Sequence, residues 1–405
     1  MADDRPDAAA PAPSTAFDRR VLRAAVAGMG HPPVTLELWD GERIEPRGAS
    51  LALVRIRDRS VLRDFARTPD VAFGDAFSDG RVEVEGDLLE VVEGVFAAGS
   101  RSRGWFRTAS RVLGWRPRGH GRRRARENVQ HHYDLGNEFY AMWLDERMLY
   151  TCAYFPSAET TLEDAQLAKM DHVCRKLVLR PGERVVEAGC GWGALALHMA
   201  EHYGASVRAF NVSAEQIEYA REQARARGLE KQVEFVQEDY RAISGRWDAF
   251  VSIGMLEHVG RGHYRGLGRL IRRCLAPDGR GLLHFIGHVR PTPTAPWLER
   301  RIFPGSYMPS LAESLRVLEP FDLAVVDVEN LRRHYARTLE HWLARFDRAA
   351  DLIEGMYDAR FVRMWRLYLV GSIAAFRTGS TQLWQVLFAR RDDARLPWTR
   401  AHLYA

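Results

Sequence analysis

The chain has 405 residues, 46% of them hydrophobic, and a formal net charge of +5 in which nearly all the basic residues are arginine. That length exceeds one typical domain, fits two, and buries a sizeable core. No stretch approaches the ~18 consecutive apolar residues that cross a bilayer, and Cys152, Cys174, Cys190 and Cys274 show neither C-x-x-C spacing nor a disulfide framework, so a cytoplasmic protein without a cysteine metal site is expected.

Residues 1–15 are rich in Ala, Pro and Asp, lack the apolar stretch of a secretory signal, and read as a disordered leader. Residues 16–100 read as a small α+β unit. The alternation at 34–39 before Asp40-Gly41 predicts a hairpin, 51–56 continues as a strand, and 61–66 reads as a helix. A second helix is expected at 87–97, with Leu88, Leu89, Val92 and Phe96 on one face. The segment 101–126 is dense in arginine, with Trp105, Phe106 and Trp115 interleaved. By position it is a linker; by composition it suits an anionic membrane surface, a nucleic acid or plain solvent. No helix-turn-helix or zinc spacing accompanies the arginines, so no nucleic-acid partner is expected.

From residue 127 the composition changes. The stretches 127–140 and 148–156 carry many polar aromatics, which are costly to bury unless they line something. A helix at 161–177 is followed by alternating patterns, with strands at 184–188, 206–211, 233–237, 248–253 and 281–286 and helices between, including 214–227 and 263–275. Such alternation predicts a doubly wound α/β sheet with its ligand at the carboxyl ends of the strands. Strands at 321–328 and 381–388 would complete the sheet edge, and the helical stretches 330–357 and 360–376 would cover the site. The first strand ends in Glu187 and is followed by Gly189, Gly191 and Gly193. The spacing is E-x-G-x-G-x-G rather than the G-x-G-x-x-G of dinucleotide enzymes. Alternate glycines turn the backbone sharply and let it lie against a ligand at the start of a helix.

That loop resembles the first motif of class I S-adenosylmethionine (SAM) methyltransferases. Further stretches make the resemblance more specific: His132-Tyr-Asp-Leu-Gly-Asn137, Tyr150-Thr-Cys-Ala-Tyr-Phe155, Ser252-Ile-Gly-Met-Leu-Glu-His-Val-Gly260, Ile302-Phe-Pro-Gly-Ser-Tyr-Met-Pro-Ser310 and Asp327-Val-Glu-Asn-Leu-Arg-Arg-His-Tyr-Ala336. Together they resemble the cyclopropane-fatty-acyl-phospholipid synthases, related to the mycolic acid cyclopropane synthases, densely over 127–390 and more weakly before it. The resemblance implies a Rossmann-like SAM-methyltransferase domain over 127–395, preceded by a unit at 16–100 that docks on lipid or pairs two chains into a homodimer. It implies SAM held by Tyr150, Thr151, Glu187, Gly189, Gly191, Gly193, Asn211, Gln216, Asp239 and Tyr240. It further implies a bicarbonate ion as base, held by Glu257, His284 and Tyr335 through side chains and by Cys152 and Ile286 mainly through backbone.

The implied reaction transfers a one-carbon unit to the cis double bond of a membrane phospholipid acyl chain, at the inner face of the cell membrane. An alkene displaces the sulfonium methyl, a carbocation forms, and loss of a proton closes a cyclopropane. Methyl-branched or methylene fatty acids arise from the same cation, and methylation of a soluble small molecule uses the same fold. A non-catalytic lipid-binding homologue is the alternative from another class, against which the intact Cys152, Glu257, His284 and Tyr335 argue. The chain departs from many family members at Gly371-Ser372, where a cysteine is common after the glycine.

Overall fold

The structure, a computed structural model, describes residues 12–101, 135–393 and 395–404. Most of the leader, nearly all of the arginine-dense segment and residues 127–134 lie outside the described residues. The chain forms two compact units, Met1–Gly114 with Leu352–Ala374, and Trp115–Asp351 with Ala375–Ala405.

In the first unit, β1 (Thr35–Glu37), β2 (Arg43–Ile44), β3 (Leu53–Ile56) and β4 (Val82–Glu85) form a sheet in the order β2-β1-β3-β4. Gly41, at φ +86°, closes the expected β1–β2 hairpin. Leu22, Leu36, Val54, Ile56, Val61 and Val82 build the core. Residues 12–15, counted with the leader from sequence, are tied to this unit. The Trp39 indole donates to the Ala12 carbonyl at 2.8 Å, and Thr15 caps the helix Ala16–Gly28 with a reciprocal bond from Asp18. The stretch Leu352–Ala374, read from sequence as part of a cover over the site, packs in this unit: Arg360 pairs with Asp79 at 2.7 Å.

The second unit holds β5 (Arg184–Ala188), β6 (Ser206–Asn211), β7 (Val233–Gln237), β8 (Trp247–Ile253), β9 (Leu275–Gly287), β10 (Leu323–Asn330) and β11 (Gln382–Arg390). The order is β10-β11-β9-β8-β5-β6-β7. Strands β7, β6, β5, β8 and β9 are parallel, whereas β11 runs antiparallel to both β9 and β10. The reason lies in the connection. The chain leaves β10 at the carboxyl edge and passes through the helices Arg332–Arg348, Ala350–Met356 and Ala359–Arg377 before entering β11. Entering from that edge, β11 must run backwards. The buried faces carry Val185, Val207, Val251 and Leu282 on one side and Val186, Phe250, Leu283 and Phe388 on the other, as expected of strands covered on both faces. Among the described residues no helix is long and apolar enough to cross a membrane.

Gly193 is held at φ +86°, and a Cβ there would sit 2.6 Å from the Phe235 ring and 2.8 Å from the Ala220 methyl. Gly193→Ala should therefore destabilise the unit by about 3 kcal/mol, combining left-handed strain with overpacking. A denaturant titration monitored by tryptophan fluorescence checks this; an unchanged midpoint would remove the packing argument.

Candidate active site

The carboxyl ends of β5, β6 and β8 open into a cleft of about 1140 Å³ counted out to its mouth. Gly189 (φ +85°) and Gly191 (φ +54°) turn the chain after β5, and the amides of Gly189 and Cys190 both donate to the Phe210 carbonyl, at 2.9 and 3.1 Å. A Cβ on Gly191 would meet nothing within 4 Å, so this glycine answers to its backbone conformation and to the open cleft.

Tyr150, Thr151, Glu187, Gly189, Gly191, Asn211, Gln216, Asp239 and Tyr240 all line the cleft, together with Trp192, Lys169 and His258. Gly193 is not among its lining residues and instead starts the helix Ala194–Tyr203 against Phe235. The Asn211 amide reaches the Gly191 carbonyl at 3.3 Å and the Gln216 Oε1 at 2.6 Å. Asp239 accepts from the Arg241 amide at 2.9 Å, which caps the turn Tyr240–Ala242. Gln216 Nε2 and Glu187 Oε2 are buried and have no hydrogen-bond partner among the described residues. A donor and an acceptor left over in a glycine-walled cleft fit a polar cosubstrate such as SAM.

The helix Leu162–Lys176 supplies groups that sequence reading missed. Its Gln166 amide donates to the carbonyls of Leu149 and Thr151, at 3.2 and 2.9 Å, and Lys169 Nζ donates to Thr151 Oγ1 at 2.9 Å. Burial pushes the Lys169 pKa down to about 8, against the opposing pull of Asp145, Cys152 and Glu187. Burial pushes Glu187 up to about 8, with Lys169 pulling the other way. The available signal was a polar Gln166, Lys169, His172 and Lys176 on the same buried face as Leu162, Ala165, Met170 and Val173.

Of the five residues assigned to the base, Glu257 and Ile286 meet directly: the Ile286 amide donates to Glu257 Oε1 at 2.6 Å. His284 lies two residues earlier on β9, and its carbonyl accepts from the Gly254 amide at 2.8 Å. Glu257 Oε2 and His284 Nε2 are buried without a partner among the described residues. Burial raises Glu257 to about 7 and lowers His284 to about 3, the lysines Lys169 and Lys176 adding to the latter. The Cys152 thiol points to the Ala153 and Leu331 carbonyls, at 3.1 and 3.9 Å, and burial pushes its pKa far up. A thiol so buried is inert as a nucleophile. Tyr335 lies one turn into the helix Arg332–Arg348, 4.7 Å between ring centroids from Phe376 and 5.9 Å from Trp342. From Trp342 a chain of rings continues through Tyr150 and Tyr140 to Trp192, at 5.4, 5.4 and 5.1 Å. The helix Arg332–Arg348 thus packs its Trp342 against Tyr150, which lines the cleft.

These features define a class I SAM-methyltransferase fold with its cleft at the expected edge. The family described as mycolic acid cyclopropane synthetase matches residues 120–386, and the chain belongs to it. A domain of unknown function matches residues 21–102. A probable fatty acid methyltransferase of Pseudomonas putida is 34% identical over 385 residues, covering 92% of this chain and 97% of its own. The cyclopropane-fatty-acyl-phospholipid synthase of Escherichia coli K12 is 36% identical over 359 residues, covering 87% of this chain and 92% of its own. Among solved structures, the mycolic acid cyclopropane synthase CmaA1 complexed with SAH and CTAB has a TM-score of 0.63 at 29% identity. It covers 65% of this chain and 98% of its own.

His284 is held neutral in the folded protein well below the ordinary histidine range, so between about pH 6.5 and 3 the unfolded chain binds the extra proton. Its contribution to stability is therefore complete at neutral pH and is lost as pH falls through that window. His284→Gln should flatten the dependence of the urea midpoint on pH between those limits; parallel curves for the two proteins would refute it.

Proposed function

We propose that the protein transfers a methylene unit from SAM to the cis double bond of an unsaturated phospholipid acyl chain, forming a cyclopropane fatty acid. The observation that carries the reading is the pair of buried groups left without a partner among the described residues, Glu257 Oε2 and His284 Nε2, the first of them on the helix Leu256–Val259, whose His258 and Val259 line the cleft. Family membership and the name of the Escherichia coli relative support the substrate class, and with it peripheral contact at the inner face of the cell membrane.

Tyr150, Thr151 and the loop from Gly189 would hold SAM, with Gln216 and Asn211 reaching its polar end and Glu187 steadying the loop. The rings of Trp192 and Tyr150, which line the cleft and are backed by Tyr140 and Trp342, would favour positive charge, both the sulfonium and the cation that follows methyl transfer. They also keep water away, which would otherwise quench that cation. Glu257, His284 and Tyr335, with the backbone at Cys152, would hold a bicarbonate ion, the Ile286 amide being engaged by Glu257 Oε1; an imidazole N–H is suited to donate to the ion's oxygen. When bound, bicarbonate supplies a base for the proton lost from the new methyl.

A second reading is methyl-branched or methylene fatty-acid formation, favoured by the name of the Pseudomonas putida relative. Mass spectrometry of phospholipid acyl chains after incubation with SAM, followed by mild hydrogenation, separates the two. A chain one CH2 heavier that takes up no hydrogen means a ring. A heavier chain that takes up hydrogen keeps its alkene and supports the second reading. No heavier chain at all would overturn both.

Two variants resolve the roles of binding and chemistry. Glu257→Gln should lower turnover about 100-fold with SAM affinity nearly unchanged. Gln166→Ala, which frees the Leu149 and Thr151 carbonyls from their clamp, should raise the KM for SAM about tenfold and leave kcat nearly unaltered. If Glu257→Gln lost SAM binding along with turnover, its role would be structural.

A further inference from the structure

The neighbours of His284 determine which of its two nitrogens carries the proton. In the sheet register Glu329 on β10 lies opposite Gln385 on β11, and Gln385 lies opposite His284 on β9. The three residues therefore form one row across three strands. From the helix Leu162–Lys176, Lys176 Nζ reaches Glu329 Oε2 at 2.5 Å and Gln385 Oε1 at 2.8 Å, while His172 Nε2 reaches the same Glu329 oxygen at 2.8 Å.

An ammonium has three donors and no acceptor. Burial lowers the Lys176 pKa, and the adjacent Glu329 carboxylate, itself held at about 2 by the bonds from His172 and Lys176 against the opposite pull of burial, favours the ammonium. The Gln385 atom facing Lys176 must then be the carbonyl oxygen, which leaves the amide NH2 facing His284. Gln385 Nε2 lies 3.0 Å from His284 Nδ1. An NH2 group donates, so Nδ1 must accept and carry no proton. The neutral ring then bears its proton on Nε2, the atom that is buried without a partner among the described residues.

We propose that Lys176 and Gln385 are positioning residues that lock His284 in the Nε2–H tautomer, so that it presents a donor to an anionic ligand in the active site. The identity of that ligand as bicarbonate rests on the function proposed above; the tautomer does not. Alone, an imidazole presents either nitrogen as acceptor. Locked this way, His284 offers a donor, which matches an oxygen of an anion, and Glu257 Oε2 is a second buried atom left without a partner among the described residues.

The test is the long-range 1H–15N spectrum of the full chain labelled with 15N-histidine, with His284 identified by its absence in His284→Gln. In the wild type, Nδ1 of His284 should resonate as an unprotonated nitrogen and Nε2 as a protonated one, throughout about pH 6 to 8. In Gln385→Glu a carboxylate replaces the NH2 and should draw the proton to Nδ1. In Lys176→Met the amide is free to turn, and both tautomers should appear. Where either variant fails to fold, the wild-type spectrum decides. A protonated Nδ1 in the wild type overturns the proposal, and so does a folded Gln385→Glu that keeps only the Nε2–H form. In the lipid assay Gln385→Glu should lose about 100-fold in turnover, because an imidazole in the wrong tautomer offers an acceptor where a donor is needed. If the spectrum is as expected but no heavier acyl chain forms in the wild type, the tautomer stands and the proposed reaction falls.

Discussion

Both Thr151 at the cleft and the Glu329–Gln385 row of the large sheet are held by one helix, Leu162–Lys176, that buries two lysines. Lys169 and Lys176 are only 1% and 2% exposed, and an ammonium so placed is tolerated only with partners. Lys169 takes Thr151 on the cofactor side; Lys176 takes Glu329 and Gln385 at the sheet edge. Each pairing stabilises the helix and also fixes a segment that the chemistry uses. Removing one partner of such a buried pair costs about 3–5 kcal/mol, enough to hold these segments in one arrangement.

The reversed strand β11 extends that constraint to His284. Its antiparallel register sets Gln385 between Glu329 and His284. Facing residues across a sheet lie close enough for short side chains to meet, so Gln385 bridges the lysine network and the imidazole. On the other flank, the Ile286 amide pins Glu257. Glu257, raised to about 7, and His284, lowered to about 3, are thus two buried titratable groups with opposite shifts. Such paired, oppositely shifted groups mark sites of proton handling.

The cofactor side is built differently. There the backbone does most of the work, with the turn at Gly189 and Gly191 anchored on the Phe210 carbonyl and the Asn211–Gln216 pair closing behind it. The aromatic chain from Trp192 through Tyr140, Tyr150 and Trp342 to Tyr335 runs from the cleft, which Trp192 and Tyr150 line, into the helix Arg332–Arg348.

The motifs by themselves determined the α/β class, the glycine turn, the positions of the parallel strands and nine of the residues that line the cleft. Those features are local: alternation, glycine spacing and short strings such as Ser252 to Gly260 are written along the chain. Tertiary structure alone decided the rest. Gly193 serves packing because Phe235 and Ala220, distant in sequence, crowd its Cα. The stretch Leu352–Ala374 joins the amino-terminal unit through contacts such as Arg360 to Asp79. Lys169, Lys176 and Gln385 carry no motif. A lysine on a helix or a glutamine on a strand acquires its meaning only when burial removes water and the sheet register supplies its partner.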